Sequence, residues 1–351
     1  MTARPADATG RPTLEQVAEA AGVSRATVSR VINAVPTVDP RIRAAVERAI
    51  AEIGYVPNLA ARSLVTRRTD SMALIVSEPP GHATVYKTPF LQRLFTDPYI
   101  GRVTAGAQEV LRPRNIHLVI IPADPPAHHM VLRYLRQGHV DGVLLISSHG
   151  ADPLPQQLVD LGIPAVLSAR PGRPVPLSYV DVDQQGGARL AAEHLVGSGR
   201  RRLATICGPQ DMPAGQDRLA GFRSAVAAQL GVDVPAEQGD FTRSGGEAAT
   251  HRLLDRHPEI DGLFAANDLM AEGAIRALQE RGRRVPEDVG VVGFDDSSAA
   301  VESHPQLTTI RQPVEEMAGE MAQLLLARLR EPDRTARSVI FNPTLVVRQS
   351  A

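Results

Sequence analysis

From Ser71 onward, short apolar runs alternate with longer segments of helical periodicity. Near-continuous apolar runs are typical of parallel strands buried on both faces. The clearest are residues 72–76, 117–121, 142–146, 164–167, 203–207, 262–265 and 289–294, and helical patterns occupy residues 184–197, 218–230 and 269–281. This alternation predicts doubly wound parallel sheets, and the two series of strands predict two subdomains with a cleft between them.

Polar side chains stand close to the ends of these runs. Arg218, Asn267 and Asp295 each follow an apolar run or begin a helix after one. Ligands of doubly wound folds bind beyond the carboxyl ends of the strands, so we expect these three side chains to line the cleft. A guanidinium, an amide and a carboxylate together suit the neighbouring hydroxyl groups of a sugar. Taken singly, each is better explained as a helix cap or a surface charge.

The N-terminal region has a different pattern, which predicts three short helices within residues 13–55. Thr13 and Gln16 have the spacing of a capping box, and Gly22 ends the first helix. Ser24 is expected to cap the second helix. The third helix is predicted to start at Pro40 and to bury one stripe of apolar side chains, namely Ile42, Val46, Ala49 and Ile53.

The first two predicted helices are joined by a tight Ala-Gly-Val-Ser turn, the arrangement of a helix-turn-helix. Arg25, Ala26, Ser29 and Arg30 form the outward face of the second helix, near the end that would enter a major groove. Arginine bonds guanine O6 and N7 in a bidentate manner. Residues 1–70 hold ten arginines and seven acidic residues in a chain of net charge −1. An ordinary three-helix bundle with solvated arginines is the alternative.

The segments PTLEQVAEAAGVSRATVSRVIN at 12–33 and GYVPNLAARSL at 54–64 resemble the signature of the lactose-repressor (LacI/GalR) family. The resemblance implies that Arg25, Ala26 and Arg30 contact bases. It implies phosphate contacts for Thr13, Ser24, Thr27, Ser29, Asn33 and Asn58. Some members of the family carry a polar residue at the position of Ala26, where alanine offers only a methyl contact. We therefore expect Arg25 and Arg30 to provide most of the direct readout.

The segment 58–70 is predicted to contain a hinge helix and a linker. A helix this short is unstable alone in water, so it would form only with support from DNA and a partner hinge. The resemblance implies that Leu64, with Ala61 on the same minor-groove helix, inserts at the central base step and kinks the duplex. The local sequence alone favours a plain linker with Leu64 packed on the next domain.

The resemblance extends over nearly the whole chain from Pro12. It is carried by DRLAGF at 217–222, FAANDLMAEGAIRAL at 264–278, VGVVGFDD at 289–296 and HPQLTTIRQP at 304–313. By this resemblance Arg218, Asn267 and Asp295 hold sugar hydroxyls, and Phe241 packs against the sugar ring. Weaker candidates for the same cleft are Asp97, Tyr99 and Ser147. The first loop is longer than usual, and Ala214 stands where some members have a serine, so the particular sugar stays open.

The predicted fold class is α/β, with an all-α helix-turn-helix headpiece and hinge helix joined to a two-subdomain effector domain of the periplasmic-binding-protein kind with parallel sheets. The expected divisions are a disordered tail at 1–11, the DNA-binding domain at 12–57, the hinge and linker at 58–70 and the effector domain at 71–351. Within the last, an N-subdomain is expected at about 71–181 and 312–341, and a C-subdomain at about 182–311 and 342–351.

These features predict a cytoplasmic repressor of carbohydrate genes that leaves a palindromic operator when a sugar binds, without cofactor or metal. No heptad pattern follows residues 345–348, so a homodimer is expected. One alternative is the solute-binding protein of a sugar transporter, which would need a signal peptide and no headpiece. Another is a regulator whose ligand acts as co-repressor. An α/β enzyme is disfavoured because dinucleotide, phosphate-loop, HExxH and GxSxG motifs are missing. His128 and His129 are expected in a solvated loop.

Overall fold

The computed structural model describes residues 12–32, 35–56, 68–78, 89–146 and 149–351. The chain divides into two units, residues 1–69 and 70–351. Several predictions concern residues outside the described ranges, and they stay predictions: the N-terminal tail, Asn33, Asn58, Ala61, Leu64 and Ser147.

Three helices make up the described part of the first unit: α1 (Leu14–Ala20), α2 (Arg25–Ile32) and α3 (Pro40–Ile53). The capping box is present, because Gln16 N donates to Thr13 Oγ1 at 3.3 Å and Thr13 N donates to Gln16 Oε1 at 2.8 Å. Val17, Val28 and Val46 form the fully buried centre of the three helices. This small core fixes the angle between α1 and α2, and thereby the face that α2 presents to solvent.

One part of the predicted headpiece core is wrong. Ile42 is 38% exposed, although the helical spacing placed it on the buried stripe of α3. The packed face of α3 begins one turn later, at Val46, which is fully buried. Gly54 ends α3 with φ +67°, the left-handed conformation that glycine adopts at low cost.

The second unit contains two six-stranded sheets. The strands are β1 (Ser71–Ser77), β2 (His117–Ala123), β3 (Gly142–Ile146), β4 (Ala165–Ser168), β5 (Ser178–Val182), β6 (Leu203–Cys207), β7 (Ala236–Gln238), β8 (Gly262–Ala265), β9 (Gly290–Asp295), β10 (Thr308–Arg311), β11 (Ser338–Phe341) and β12 (Thr344–Val346). The first sheet has the order β11-β5-β4-β3-β1-β2, and the second has the order β12-β10-β9-β8-β6-β7. The strand pairs are parallel except for β10 with β12, which the sequence pattern did not predict.

Helices pack against these sheets. They are α4 (Phe90–Thr96), α5 (Pro98–Leu111), α6 (His128–Arg136), α7 (Leu154–Asp160), α8 (Gln184–Gly197), α9 (Pro213–Leu230), α10 (Arg243–Arg256), α11 (Asp268–Glu280), α12 (Ser298–Glu302) and α13 (Val314–Arg330). None of the helices in the described ranges is long and apolar enough to cross a membrane. The buried side chains of strands and helices form apolar layers around both sheets.

Two local expectations are corrected by these bounds. Helix α9 begins at Pro213, five residues before its predicted start, because proline suits the first turn of a helix. His128 and His129 are the first two residues of α6, so neither lies in a loop, although His129 is exposed as expected. His128 is half-buried. Its Nε2 lies 2.9 Å from the Ala123 carbonyl oxygen, so the ring closes the turn between β2 and α6.

The chain passes between the two sheets three times. Residues 182–184 lead from β5 in the first sheet to α8 against the second, and residues 311–314 lead from β10 back to α13 against the first. Residues 341–344 make the last crossing, from β11 to β12. The carboxyl ends of the parallel strands of both sheets border the space between the two halves, which is where ligands bind in such folds.

Candidate functional site

A cavity of about 530 Å³ lies between the two halves of the second unit. Its size falls within the range of small-molecule binding sites. Six candidate residues from the sequence line it: Asp97, Tyr99, Arg218, Phe241, Asn267 and Asp295. The first two come from the N-terminal end of α5 beside the first sheet. Asp295 ends β9, and the other three come from loops and helices that follow strands of the second sheet. The cavity therefore has polar groups on both of its walls.

Arg218 and Asp295 form the charged floor of the cavity. Arg218 Nη1 lies 3.6 Å from Asp295 Oδ1, and Arg218 Nε donates to Gln184 Oε1 at 2.7 Å. The guanidinium also lies over the Phe294 ring, with Cζ 3.7 Å from the ring centre. Burial lowers the pKa of Arg218, and the neighbouring acids oppose that effect. The side chain is only 5% exposed, so its geometry is fixed before a ligand arrives.

The floor still offers hydrogen-bonding groups to a ligand. Asp295 Oδ1 accepts from Gln312 Nε2 at 2.6 Å, whereas Asp295 Oδ2 and Arg218 Nη2 have no hydrogen-bond partner among the described residues. An acceptor and a donor side by side match two adjacent hydroxyl groups of a sugar. Burial raises the pKa of Asp295 above its ordinary value, and the Arg218 guanidinium acts in the opposite direction.

Asn267 and Phe241 form a connected pair on the second-sheet side. Asn267 is the N-cap of α11, where its Oδ1 accepts from Met270 N at 2.9 Å. Its Nδ2 donates to the Phe241 carbonyl oxygen at 3.0 Å. Phe241 has φ +63°, which is rare for a bulky residue, and this hydrogen bond helps to hold it there. Asn267 is thus both a helix cap and a cavity residue, and its amide can still make further hydrogen bonds.

Asp97 and Tyr99 stand on the opposite wall. Asp97 caps α5 by accepting from Tyr99 N at 2.9 Å, and burial raises the pKa of its carboxyl group. The Tyr99 hydroxyl lies 2.7 Å from Ser168 Oγ, at the end of β4. Burial raises the pKa of Tyr99 to about 12, so the phenol stays protonated and can donate a hydrogen bond.

Several cavity residues were not predicted from the sequence. Gln184 and Gln312 orient Arg218 and Asp295, and Ser168 holds Tyr99. Gln312 lies inside the IRQP motif, and each of the three stands at or just after the end of a strand. The strand-end rule could therefore have found them, but it does not distinguish a glutamine that lines a cleft from one that faces solvent.

Several contacts join the two halves around the cavity. Arg102 of α5 donates to the Asp295 carbonyl oxygen at 2.8 Å, and an ion pair with Glu315 of α13 in its own half, Nε to Oε1 at 2.7 Å, holds Arg102 in place. His149 Nδ1 lies 2.6 Å from Asp211 Oδ2. Another ion pair joins the loop after β4 to α9, with Arg170 Nη2 at 2.8 Å from Asp217 Oδ2. A movement of one half against the other must lengthen or exchange some of these contacts.

A buried acid lies directly behind the floor. Asp268 accepts hydrogen bonds from Thr309 Oγ1 at 2.5 Å and from Ser297 N at 2.7 Å, and it is fully buried. Burial raises the pKa of Asp268 strongly, and the negative charge of Asp295 raises it further. This carboxyl group does not line the cavity, so its role is to connect α11 with β10 and the loop after β9.

One group of side chains in the described ranges has ligand atoms close enough for a metal ion. Glu247, His251 and Glu280 have such atoms within 4.8 Å of one another on α10 and α11. Arg276 already approaches both carboxylates, at 3.8 Å from Glu247 and 3.1 Å from Glu280. These charges are therefore balanced by a guanidinium.

The outward face of α2 carries the residues predicted to meet DNA. Arg25, Ala26 and Arg30 are exposed, as are Thr13 and Ser24, whereas Thr27 and Ser29 are half-buried. Ser24 accepts from Thr27 N at 3.1 Å, which caps the helix as predicted. The three side chains predicted to contact bases are thus free of the headpiece core and lie on one helix.

Comparisons with known proteins match both units. Residues 13–58 match the model of the bacterial regulatory proteins of the lacI family, and residues 192–351 match a periplasmic binding protein-like domain. The HTH-type transcriptional regulator CelR of Thermobifida fusca is 48% identical over 345 residues, which is 97% of this chain and 98% of that protein.

Solved structures agree with this assignment. A transcriptional regulator CelR–cellobiose complex is 45% identical, with a TM-score of 0.75 over 97% of this chain and all of that one. The lac repressor dimer bound to operator and the anti-inducer ONPF is 26% identical, with a TM-score of 0.81 over 97% of this chain and 99% of that chain.

The fold and the matches define a helix-turn-helix transcription regulator with a periplasmic binding protein-like effector domain. The chain belongs to the lacI family of bacterial regulatory proteins. The predicted fold class, α/β with an all-α headpiece and a two-subdomain effector domain, is confirmed. The lacI-family headpiece rules out the solute-binding protein of a transporter.

Proposed function

We propose that this regulator binds a palindromic operator as a homodimer and represses genes of carbohydrate uptake or catabolism until a sugar releases it. The observation that carries the effector part is the pairing of Arg218 with Asp295 next to the Phe241 ring. A charged donor and acceptor beside an aromatic face suit a ring whose edge carries hydroxyls and whose faces are apolar. Asp97, Tyr99 and Asn267 would add contacts from both walls, and Ser147 stays a candidate.

Cellobiose is the first effector that we propose. The relative with 45% identity is a complex with cellobiose. A cavity of about 530 Å³ has room for more than one sugar ring. Single sugars such as glucose and ribose are then expected to bind more weakly, because they would leave part of the cavity to water.

The proposed switch is a movement of the two halves of the effector domain. A sugar held by Arg218 on the floor and by Tyr99 on the first-sheet wall would bias the contacts of Arg102 and of the His149–Asp211 pair. Coupling of this kind requires that the sugar prefer the DNA-free state, typically by about 1–3 kcal/mol. The opposite preference would make the sugar a co-repressor.

The DNA part of the proposal uses Arg25, Arg30 and Ala26 as base contacts in each half-site. The phosphate contacts would come from the hydroxyls and amides predicted above, with paired hinge helices and Leu64 over a central CpG step. We propose the boundaries 12–57 for the DNA-binding domain, 58–70 for the hinge and linker, and 71–351 for the effector domain. The limits given above for its N-subdomain and C-subdomain are proposed as well. A cytoplasmic location and a lack of enzymatic turnover are also proposed, since the partner is operator DNA.

The test is selection of bound DNA from random and genomic pools with the purified chain. A palindrome with a central CG step supports the repressor, and its genomic copies identify the regulated genes. Release by cellobiose at lower concentration than by glucose, ribose or lactose supports the effector. Tighter binding with cellobiose would mean co-repression, and turnover of cellobiose would contradict the non-enzymatic role. Failure of a folded protein to enrich any sequence at low salt, with or without sugars, would overturn the proposal.

A further inference from the structure

An ion pair joins the two helices of the helix-turn-helix on their exposed side. Glu15 lies in the first turn of α1, and its Oε1 is 3.1 Å from Nη1 of Arg25, the first residue of α2. Both side chains are largely exposed, at 61% and 74%. Exposed pairs of this kind add little to folding stability. Because Glu15 contacts an arginine that we propose to contact a base, its role is sought in DNA binding.

We propose that Glu15 is a specificity-determining residue, which accepts a hydrogen bond from the amino group of a cytosine next to the guanine bound by Arg25. The inference rests on the proposed base contact of Arg25. A guanidinium has five N–H groups, so it can bond guanine O6 and N7 and still hold a carboxylate. The carboxylate is thereby brought to the base edge rather than left to solvent.

The chemistry of the major groove gives this carboxylate its selectivity. A carboxylate only accepts hydrogen bonds, and cytosine N4 is the donor that acidic side chains recognise there. A thymine or guanine in the same place would face Glu15 with acceptor oxygens and leave the carboxylate without a partner. An adenine offers its N6 donor beside the N7 acceptor, which repels the carboxylate. Glu15 also repels phosphates, but equally on every sequence. The hydrogen bond to cytosine and the unpaired carboxylate beside other bases are therefore what sharpen specificity.

The test compares Glu15→Ala with Glu19→Ala in the full-length protein. Glu19 is an exposed residue on the same helix and carries the same charge, so it controls for electrostatics and helix propensity. Binding is measured on the selected operator and on every single-base variant of one half-site. We expect Glu15→Ala to reduce the preference for one cytosine by about tenfold, the effect of losing one good base contact. Glu19→Ala is expected to leave the order of preference unchanged.

Other results distinguish a failure of the proposed role of Glu15 from a failure of the proposed base contact of Arg25. An equal change on all sequences for both variants would overturn the role of Glu15 and leave the base contact of Arg25 intact. Arg25→Ala is measured beside them and should remove the preference for the neighbouring guanine. If Arg25→Ala changes no preference, its proposed base contact fails, and the role of Glu15 fails with it.

Discussion

A methyl group added at Gly208 would act on the sugar site through the Phe241 ring. A Cβ atom at Gly208 would lie 2.3 Å from Cζ and 2.6 Å from Cε1 of Phe241. Carbon atoms in contact prefer about 3.5–4.0 Å, so the ring must move by more than 1 Å. Its backbone cannot follow freely, because Phe241 has φ +63° and its carbonyl accepts from Asn267. The ring must therefore rotate away from its place in the cavity wall.

The expected cost of Gly208→Ala is about 1–3 kcal/mol of sugar affinity, because the displaced ring no longer makes the contact of a buried aromatic anchor. That corresponds to a rise in Kd of about 5- to 150-fold. Isothermal titration with cellobiose measures it, and thermal unfolding shows whether the protein remains folded. Gly197→Ala is the matched control, because its Cβ would meet no atom within 4 Å. Unchanged affinity in a folded Gly208→Ala protein would refute the assignment of Phe241 to the sugar site.

Three further variants test other parts of the molecule. Arg30→Ala should cost about 1–3 kcal/mol of operator affinity and relax the sequence preference at one base pair. A uniform loss of affinity on all sequences would mean that Arg30 contacts a phosphate instead. Asp295→Ala should abolish release by sugar while operator binding persists, so a normal response in gel-shift titrations would exclude Asp295 from the site. Asp268→Asn should raise the Tm at pH 8–9 but not at pH 5. Burial raises the pKa of Asp268, so the stability given by its protonated form is lost as the pH rises through that value. Equal Tm shifts at both pH values would contradict this argument.

The sequence predicted the fold well where periodicity and capping chemistry agree. The strands at 142–146, 203–207 and 262–265 have the predicted bounds, because each is a nearly continuous apolar run buried on both faces. Helix α13 and strand β5 did not stand out, since their patterns resemble those of any amphipathic or half-buried segment. Ile42 shows the remaining difficulty: spacing gives the face of a helix but not the turn at which packing begins.

The residues of the cavity could likewise be predicted where a sequence pattern marks their place in the fold. Arg218, Asn267 and Asp295 could be predicted because they lie in motifs after strands, and the structure brings them to one cavity. Arg102 could not, because it is one of many arginines on helices and its partners lie about two hundred positions away in the chain. Whether these residues bind the sugar stays a prediction for the experiments above.

The pairing of β11 with β5 has a consequence for synthesis on the ribosome. Strand β11, at 338–341, adds to an edge formed by residues 178–182, so the first sheet gains its last strand only when nearly the whole chain has emerged. The headpiece, by contrast, makes its core from residues 14–55 alone. Local contacts form quickly, and distant ones wait for the chain that carries them. A nascent chain can therefore fold its headpiece before it possesses a complete sensor, and premature termination would yield fragments with a folded headpiece that cannot respond to sugar.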